Sequence, residues 1–305
     1  MRLVCAALFL LVLPRLGWAL DVRFEPVAEN VYAYIGDTGG RTVENQALNT
    51  NIGLVVTPAG AVLIDSGATF RSAQFIDDAV RKLSAQPVRW VINTGGQDHR
   101  WLGNGYFQAR GAELIAHVTA VADMRSRSGD QIAALNTLLG EESTGTVPAL
   151  PTRALEGQQT RLELGGVSFE FRHRGGGHTP GDMLVWLPRL QVLFAGDIVY
   201  VDRMLAVLPI SSTRAWLDSF AQVEALGPQH IVPGHGRVAD VAAARARARD
   251  VLQALRKHAT RALEQGADLS NVVKSFNAQP FSHLLNAGEL LPANLSRTYL
   301  EVERE

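Results

Sequence analysis

The chain has 305 residues, of which 47% are hydrophobic and 19% charged, and its formal net charge at pH 7 is −1. This balance is typical of a well-packed soluble chain and excludes a disordered protein and a multi-pass membrane protein. Without a strongly basic run, the chain also lacks the charge pattern of a nucleic-acid-binding protein. The single cysteine is Cys5, so neither a disulfide within the chain nor a thiolate metal site is expected.

Residues 1–19 have the organisation of a secretory signal peptide. Arg2 precedes an apolar run over residues 3–13, and small residues stand at Gly17 and Ala19. The run is shorter than the roughly 17–25 residues that a membrane-spanning helix needs, so no stable span is expected. We therefore expect export to the periplasm, cleavage near Ala19, and a single domain over residues 20–305 that ends in a C-terminal helical segment.

The first half of the mature chain is predicted to alternate strands with helices. Apolar and β-branched runs predict strands at 31–35, 52–56, 61–65, 88–92 and 114–116. The turn Thr57-Pro58-Ala59-Gly60 joins the second and third of these in a hairpin. Helical periodicity predicts helices over residues 70–83 and about 118–127.

The second half repeats this pattern. Strands are predicted at 160–164, 167–172, 182–187, 192–194 and 229–232, and helices at about 213–226 and at 240–265. Two halves that each contain several strands followed by helices predict an α/β fold, a four-layer αβ/βα sandwich.

Three motifs in the second half place metal-ligating residue types beside turn residues at predicted strand ends. They are Gly177-His178-Thr179-Pro180-Gly181-Asp182, Gly196-Asp197 and Pro233-Gly234-His235-Gly236. Histidine nitrogen and aspartate oxygen are common zinc ligands, and a catalytic zinc site keeps one position open for water. A fourth segment, Thr94-Gly95-Gly96-Gln97-Asp98-His99-Arg100, follows the strand predicted at 88–92.

In this order the motifs resemble the metallo-β-lactamase superfamily, whose first motif runs Thr-His-x-His-x-Asp-His. The resemblance covers roughly residues 24–300 and implies the metallo-β-lactamase fold. In the family, the two early histidines and the middle-loop histidine bind one zinc. The Asp-His pair and the final histidine bind a second zinc, and the aspartate of the Gly-Asp motif bridges the two. This chain lacks both early histidines.

Two alignments of the altered motif are open, and they assign different metal ligands. If Asp98-His99 matches the family's Asp-His pair, those two residues form one complete site with Asp197 and His235. The other site keeps only His178 and a share of Asp197. This alignment, which we favour, implies one zinc per chain, with iron as the alternative metal.

The other alignment matches Gly103-Asn104 to the family's Gly-Asn. His99 then takes the aspartate position, Arg100 takes the histidine position, and Asp98 is no ligand. An arginine would stand where the family holds a metal ion, and the metal site is expected to be inactive.

The resemblance also suggests catalytic roles near the metal. Asp98 is expected to orient the attacking water and pass its proton to the leaving group. His178, freed from a full first site, is expected to hydrogen-bond the nucleophile or the developing oxyanion. Asp65 and Gln97 are expected to support the ligands without binding the metal.

Arg100 and Trp101, next to the ligands, are candidates for binding an anionic or flat substrate. In the alternative interpretation Trp101 packs beneath the loop and Arg100 makes a local salt bridge. The remaining histidines match no ligand position and are expected to be surface or packed residues: His117, His173, His230, His258 and His283.

Two functions of different classes follow. One is a periplasmic hydrolase that uses a metal-bound hydroxide on a small ester- or thioester-like compound. The other is a non-catalytic member of the family that binds a small molecule or a protein partner. The segment from Asn93 to Asn104 is similar to the altered motif of exported quinoprotein relay system zinc metallohydrolases. This likeness implies an association with a quinoprotein dehydrogenase system.

Overall fold

Two β-sheets lie face to face. The computed structural model of the protein describes residues 20–305, so the expected signal peptide, residues 1–19, lies outside the described residues. The first sheet has seven strands in sequence order. They are β1 (Phe24–Ala28), β2 (Val31–Tyr34), β3 (Ile52–Thr57), β4 (Gly60–Ile64), β5 (Val88–Ile92), β6 (Glu113–His117) and β7 (Arg153–Leu155). Strands β1 to β4 pair antiparallel, and β4 to β7 pair parallel.

The second sheet has five strands. They are β8 (Gln159–Leu164), β9 (Val167–Arg172), β10 (Leu184–Leu187), β11 (Val192–Tyr200) and β12 (His230–His235). Their spatial order is β12-β11-β10-β9-β8. Only β11 and β12 pair parallel, so their carboxyl ends meet at one edge of this sheet.

Helices cover the outer faces of both sheets. They are α1 (Phe70–Val80), α2 (Asp98–Trp101), α3 (Asn104–Gln108), α4 (Val118–Leu139), α5 (Thr213–Leu226), α6 (Val241–Ala244), α7 (Asp250–Glu264), α8 (Leu269–Ser275) and α9 (Ala287–Val302). Short 3₁₀ turns lie at Gly140–Ser143 and Gln279–Phe281. A π-helical turn, Arg245–Arg249, joins α6 to α7. Among residues 20–305, none of the helices has both the length and the apolar character needed to cross a bilayer.

The hydrophobic core is divided into layers by the alternation of side chains along the strands. In β4, Val62 and Ile64 face the space between the sheets, where they join Phe169, Val185 and Phe194 of the second sheet. The intervening residues of β4 pack instead against α1 on the outer face. Helices α5, α7 and α9 pack against the outer face of the second sheet. The predicted four-layer αβ/βα sandwich is therefore confirmed.

Most predicted elements are present, and the main differences are the following. Helix α4 runs to Leu139, well past the predicted end near residue 127. Strand β11 continues to Tyr200, so Asp197 lies within a strand. The helix predicted over 240–265 contains the π turn, and strands β1 and β7 were not predicted.

The end of the altered motif lies in the short helix α2, which is separated from β5 by residues 93–97. Its four residues, Asp98 to Trp101, are all buried. Because successive residues of a helix point about 100° apart, Asp98, His99 and Arg100 project in three different directions.

Candidate metal centre

The Asp197 carboxylate lies at the centre of a group of three histidines. His235 Nε2 is 3.3 Å from Asp197 Oδ1, and the Nε2 atoms of His99 and His178 are 3.7 and 3.8 Å from Asp197 Oδ2. These side chains come from the end of β12, from α2 and from the loop between β9 and β10. Three separate sequence motifs therefore meet at the carboxyl ends of β11 and β12.

Backbone carbonyls orient two of the imidazole rings. The Nδ1 atom of His235 is 2.8 Å from the Asn49 carbonyl oxygen, and that of His178 is 2.8 Å from the Ala206 carbonyl oxygen. A carbonyl only accepts, so each Nδ1 carries the proton and donates it, and each neutral ring keeps an unprotonated Nε2. Burial lowers the pKa of His178 to about 4 and also lowers the pKa of His235. Both rings are therefore neutral and present a lone pair at neutral pH.

The His99 imidazole has no hydrogen-bond partner within the described residues. Both of its ring nitrogens are buried and unpaired, and its ring lies edge-on to that of His235 with centroids 5.3 Å apart. Burial lowers the pKa of His99 to about 4. A buried polar group without a partner is costly, so this imidazole has the character of a metal ligand.

The donor set fits one divalent ion. Candidate ligand atoms of His99, Asp197 and His235 all lie within 4.8 Å of one another. Two unprotonated imidazoles and one carboxylate match the preferences of zinc, and three protein ligands leave a position open for water. His178 faces the same carboxylate from the side but is not part of this group of three.

Asp98, which the favoured alignment makes a ligand, does not point into this group. Its Oδ1 accepts from the His99 backbone N–H at 2.9 Å and from Gln97 Nε2 at 3.1 Å, and its Oδ2 accepts from Arg41 Nη1. Burial would raise the pKa of Asp98, but Arg41 and His99 outweigh it and hold that pKa below its ordinary value. The geometry agrees with the other alignment, in which His99 takes the aspartate position.

Arg100 lies beneath Asp197 and not in a substrate pocket. Its guanidinium pairs with both Asp197 oxygens, with Nε 2.6 Å from Oδ2, and its Nη1 is 2.7 Å from Asp65 Oδ2. The side chain is only 1% exposed. The suggested substrate-binding role of Arg100 is therefore corrected to a buried salt bridge, because no face of the guanidinium is left for a substrate.

The Arg100 salt bridge determines the charge of the centre. Burial would raise the pKa of Asp197, but Arg100 and the surrounding histidines hold it well below its ordinary value. Asp197 therefore stays ionised, and a carboxylate has enough lone pairs to bind a metal as well as an arginine. A side chain at position 234 would overlap the guanidinium, so glycine there lets Arg100 lie in place.

Asp65 fixes Arg100 from the other side. One Asp65 oxygen accepts from the Thr94 backbone N–H at 2.8 Å, and the other accepts from the Thr94 hydroxyl at 2.7 Å. Asp65 thus positions both the arginine and the start of the altered motif without facing the metal group.

Trp101 is also buried and cannot face a substrate. Its indole N–H donates to Gln131 Oε1 at 2.9 Å, and its ring packs with Ala116, Met124 and Leu135. The suggestion that Trp101 binds substrate is corrected to the alternative interpretation, in which it packs beneath the loop. Gln97 precedes α2, its Nε2 donates to Asp98, and its Oε1 is 3.4 Å from Arg127 Nη1.

The five other histidines lie outside the group. His117 and His173 stack on each other with ring centroids 3.7 Å apart; His117 is buried and His173 is partly buried. His258 Nε2 is 2.8 Å from the Val272 carbonyl oxygen, among the C-terminal helices. His230 begins β12, at the opposite end of the strand from His235.

Acidic side chains fill the space beside the two glycines of the altered motif. A side chain at position 95 would overlap Asp182 Oδ1 and lie 3.2 Å from the Thr179 hydroxyl, and one at position 96 would overlap Asp123. Asp182 is buried and accepts from the Thr179 backbone N–H at 2.8 Å. Burial, together with the charge of Asp197, raises the pKa of Asp182 to about 7.

Because of this packing, Gly95→His is not expected to rebuild a second metal site. The imidazole would have to displace Asp182, so the free energy of unfolding should fall by about 1–3 kcal/mol, as for other overpacked core positions. Denaturant titration and metal analysis would measure both effects. Gln97→His, at a partly exposed position, is the matched control and should leave stability nearly unchanged. A Gly95→His/Gln97→His protein with two ions per chain and undiminished stability would contradict this expectation.

Several residues around the centre were not found by sequence reasoning. Asn51 donates to the Pro233 and Gly236 carbonyls at 2.9 and 2.7 Å and so holds the loop that carries His235. Arg41 pairs with Asp98, and the buried Arg203 donates to the Gly39 carbonyl at 3.0 Å; both arginines lie on segments without periodicity. Nothing in the sequence indicates that the run Asn49-Thr50-Asn51 contacts a loop more than 180 positions away.

Comparisons with known proteins agree with this geometry. The family model of the metallo-beta-lactamase superfamily matches residues 45–235. A metallo-beta-lactamase type 2 of Bacteroides fragilis is 32% identical over 227 residues, which are 71% of this chain and 80% of that protein. One from Bacillus cereus is 27% identical over 215 residues, 69% of this chain and 74% of that protein.

Solved structures share the fold at lower identity. The DIM-1 metallo-beta-lactamase exposed to ceftazidime has a TM-score of 0.62 at 19% identity. The aligned residues make up 76% of this chain and 97% of that protein. A double mutant of the sec-alkyl sulfatase PisA1 has a TM-score of 0.73 at 17% identity. The aligned residues make up 91% of this chain and 50% of that protein. By its sequence relatives and its matched family model, the chain belongs to the metallo-beta-lactamase superfamily.

Proposed function

We propose that this protein is a metal-dependent hydrolase that holds one zinc ion and acts on a small ester- or thioester-like compound. The observation that carries the proposal is the buried imidazole of His99, which has no partner in the described residues and faces Asp197 and His235. Membership of a superfamily whose curated relatives are beta-lactamases supports hydrolysis as the class of reaction. Iron is the alternative metal for the same three ligands.

A bound zinc ion would lower the pKa of a water ligand to about 7 and so supply hydroxide at neutral pH. Residues of the chain would then position the attacking water. Neutral His178 keeps an unprotonated Nε2 beside Asp197, because its Nδ1 donates to the Ala206 carbonyl. This nitrogen can accept a hydrogen bond from the attacking water but cannot donate one to an oxyanion. Of its two expected roles, the structure favours the first.

Asp98 has a different place in the proposal. Its oxygens accept hydrogen bonds from Arg41, Gln97 and a backbone N–H, so Asp98 is the charge partner of Arg41. Proton transfer to the leaving group by Asp98 would require the Arg41 pair to open.

A non-catalytic binding protein is the second candidate, and one observation favours it. Arg100 places a positive charge on both oxygens of Asp197, where the family uses a metal-bridging aspartate. If that guanidinium satisfies the carboxylate fully, the centre needs no ion.

We further propose that the protein is exported to the periplasm and is associated there with a quinoprotein dehydrogenase system. The signal-like residues 1–19 and the altered motif between Asn93 and Asn104 support these two proposals. Fractionation of cells producing the full-length chain tests export, since a cytoplasmic, uncleaved protein would refute it.

The deciding experiment measures metal content by elemental mass spectrometry on protein purified without chelator, followed by assays with small esters and thioesters. About one zinc per chain with hydrolysis supports the proposed function. About two ions per chain would overturn the single-metal site. If the protein holds no metal and takes up no added zinc or iron, the proposed hydrolase function is refuted and the non-catalytic binding function takes its place.

A further inference from the structure

The orientation of the His178 ring depends on one backbone carbonyl, that of Ala206. His178 Nδ1 is 2.8 Å from this oxygen and donates to it, so the unprotonated Nε2 faces Asp197, 3.8 Å from Oδ2. Residues 204–208, which include Ala206, belong to neither a helix nor a strand. The position of the Ala206 carbonyl therefore depends on contacts other than regular backbone hydrogen bonding.

A single buried side chain of helix α9 holds the residues on both sides of Ala206. Asn294 Oδ1 accepts from the Val207 backbone N–H at 2.8 Å, and Asn294 Nδ2 donates to the Leu205 carbonyl at 2.8 Å. The Asn294 side chain is fully buried. An amide can accept and donate at once, whereas an ionised carboxylate only accepts and an aliphatic side chain does neither. The Asn294 amide therefore fixes the peptide groups that flank the Ala206 carbonyl.

The same face of α9 holds the rest of the β11–α5 loop. Arg297 and Glu301 follow Asn294 by three and seven residues, a spacing that places all three on one side of a helix. Arg297 Nη1 donates to the Val207 carbonyl. Glu301 accepts from the Thr213 backbone N–H at 2.8 Å, where α5 begins. Helix α9 thus contacts this loop and its junction with α5 at three points.

The carboxylate on the other side of His178 shows why the position of the carbonyl matters. Arg100 pairs with both oxygens of Asp197, which is ionised and accepts hydrogen bonds. A His178 ring with its proton on Nε2 would donate to Asp197 and would present no lone pair to the centre. The Ala206 carbonyl opposes that tautomer, because it accepts only from an Nδ1–H. Two acceptors therefore compete for one ring proton, and a fixed carbonyl at 2.8 Å favours Nδ1.

We propose that Asn294 is a positioning residue of the hydrolase: by fixing the Ala206 carbonyl, it keeps His178 in the Nδ1-protonated tautomer. The free Nε2 of that tautomer accepts a hydrogen bond from the attacking water. This inference rests on the proposed function and gives the C-terminal helix α9 a part in the site. Both hydrogen bonds of Asn294 go to the loop, so its effect on the centre passes through Ala206.

The tautomer of His178 is measured by ¹⁵N NMR on histidine-labelled protein purified without chelator, with His178→Gln identifying the signal. The parent protein should carry the proton on Nδ1, and Asn294→Leu should move it partly or fully to Nε2. Thr298→Val is the matched control, because Thr298 is fully buried on the next turn of α9 and its hydroxyl has no hydrogen-bond partner within residues 20–305. Thr298→Val should give the parent spectrum. Zinc content should stay at the parent value in both α9 variants, because His178 is not one of the three ligands.

Kinetics with p-nitrophenyl butyrate gives a second readout. Asn294→Leu should lower kcat about tenfold to a hundredfold with little change in KM, because the water and not the substrate loses its partner. Arg297→Met, at a partly buried position, removes one hydrogen bond to the same loop. It should change the tautomer and kcat in the same direction but by less, and it decides the question if Asn294→Leu does not fold.

An Nε2 proton on His178 in the parent protein would overturn the inference. An unchanged tautomer or an unchanged kcat in folded Asn294→Leu would do so too, as would a parent-like Arg297→Met if Asn294→Leu does not fold. A tautomer that shifts in Asn294→Leu, in a protein that hydrolyses no ester, would refute the proposed function but keep the link between Asn294 and His178. Hydrolysis in a protein whose His178 tautomer does not respond to Asn294 would refute the link and keep the function.

Discussion

Replacing His99 with alanine should remove the metal, with a loss of affinity of more than about a hundredfold, because it deletes one of only three ligands. Hydrolysis should be lost together with the ion. Asp98→Asn, one residue earlier, should keep the metal, since the Asp98 oxygens bind Arg41, Gln97 and a backbone N–H instead. Zinc content after purification and zinc affinity in competition with a chelator would measure both variants.

This pair of neighbouring variants separates the two alignments of the altered motif. The alignment that makes Asp98 a ligand expects Asp98→Asn to lose its zinc as fully as His99→Ala. Gln97→Ala serves as the matched control, because Gln97 touches Asp98 but does not face Asp197. Zinc loss in Asp98→Asn with retention in His99→Ala would show that the ligand group described above is incorrect.

Arg100→Met should lower the free energy of unfolding by about 3–5 kcal/mol, because it leaves Asp65 and Asp197 buried without their shared cation. Methionine keeps much of the volume, so lost packing contributes little. Denaturant titration of the metal-free protein would measure the change. Arg161→Met is the control: Arg161 is exposed and pairs with the exposed Glu163, so its loss should cost only about 0–1 kcal/mol.

Zinc adds a second measurement to this prediction. In Arg100→Met the ion would replace the positive charge on Asp197, so added zinc should stabilise the variant more than it stabilises the parent protein. A loss below about 1 kcal/mol in Arg100→Met would mean that the Asp65–Arg100–Asp197 triad is not a structural element of the centre.

Much of the fold could be read from local patterns. Strands β3 and β4 and their hairpin follow from β-branched runs around Thr57-Pro58-Ala59-Gly60, and helix α5 from its apolar periodicity between Ser212 and Gly227. Helix α4 was predicted too short because the polar stretch from Arg125 to Asp130 hides its periodicity. Strand β11 was predicted too short because Gly196-Asp197 has the composition of a loop, although pairing with β12 continues past an irregularity at Gly196 to Tyr200.

Motif order and periodicity are properties of the chain alone, so the family, the layered fold and the residue types available to the centre could be inferred without coordinates. Which of three consecutive residues, Asp98, His99 and Arg100, faces Asp197 depends instead on how the chain folds. In helix α2 they project in different directions, towards Arg41, towards the histidine group and beneath Asp197. Whether a buried charge such as Arg203 finds a partner likewise depends on distant segments brought together by folding, which no local pattern encodes.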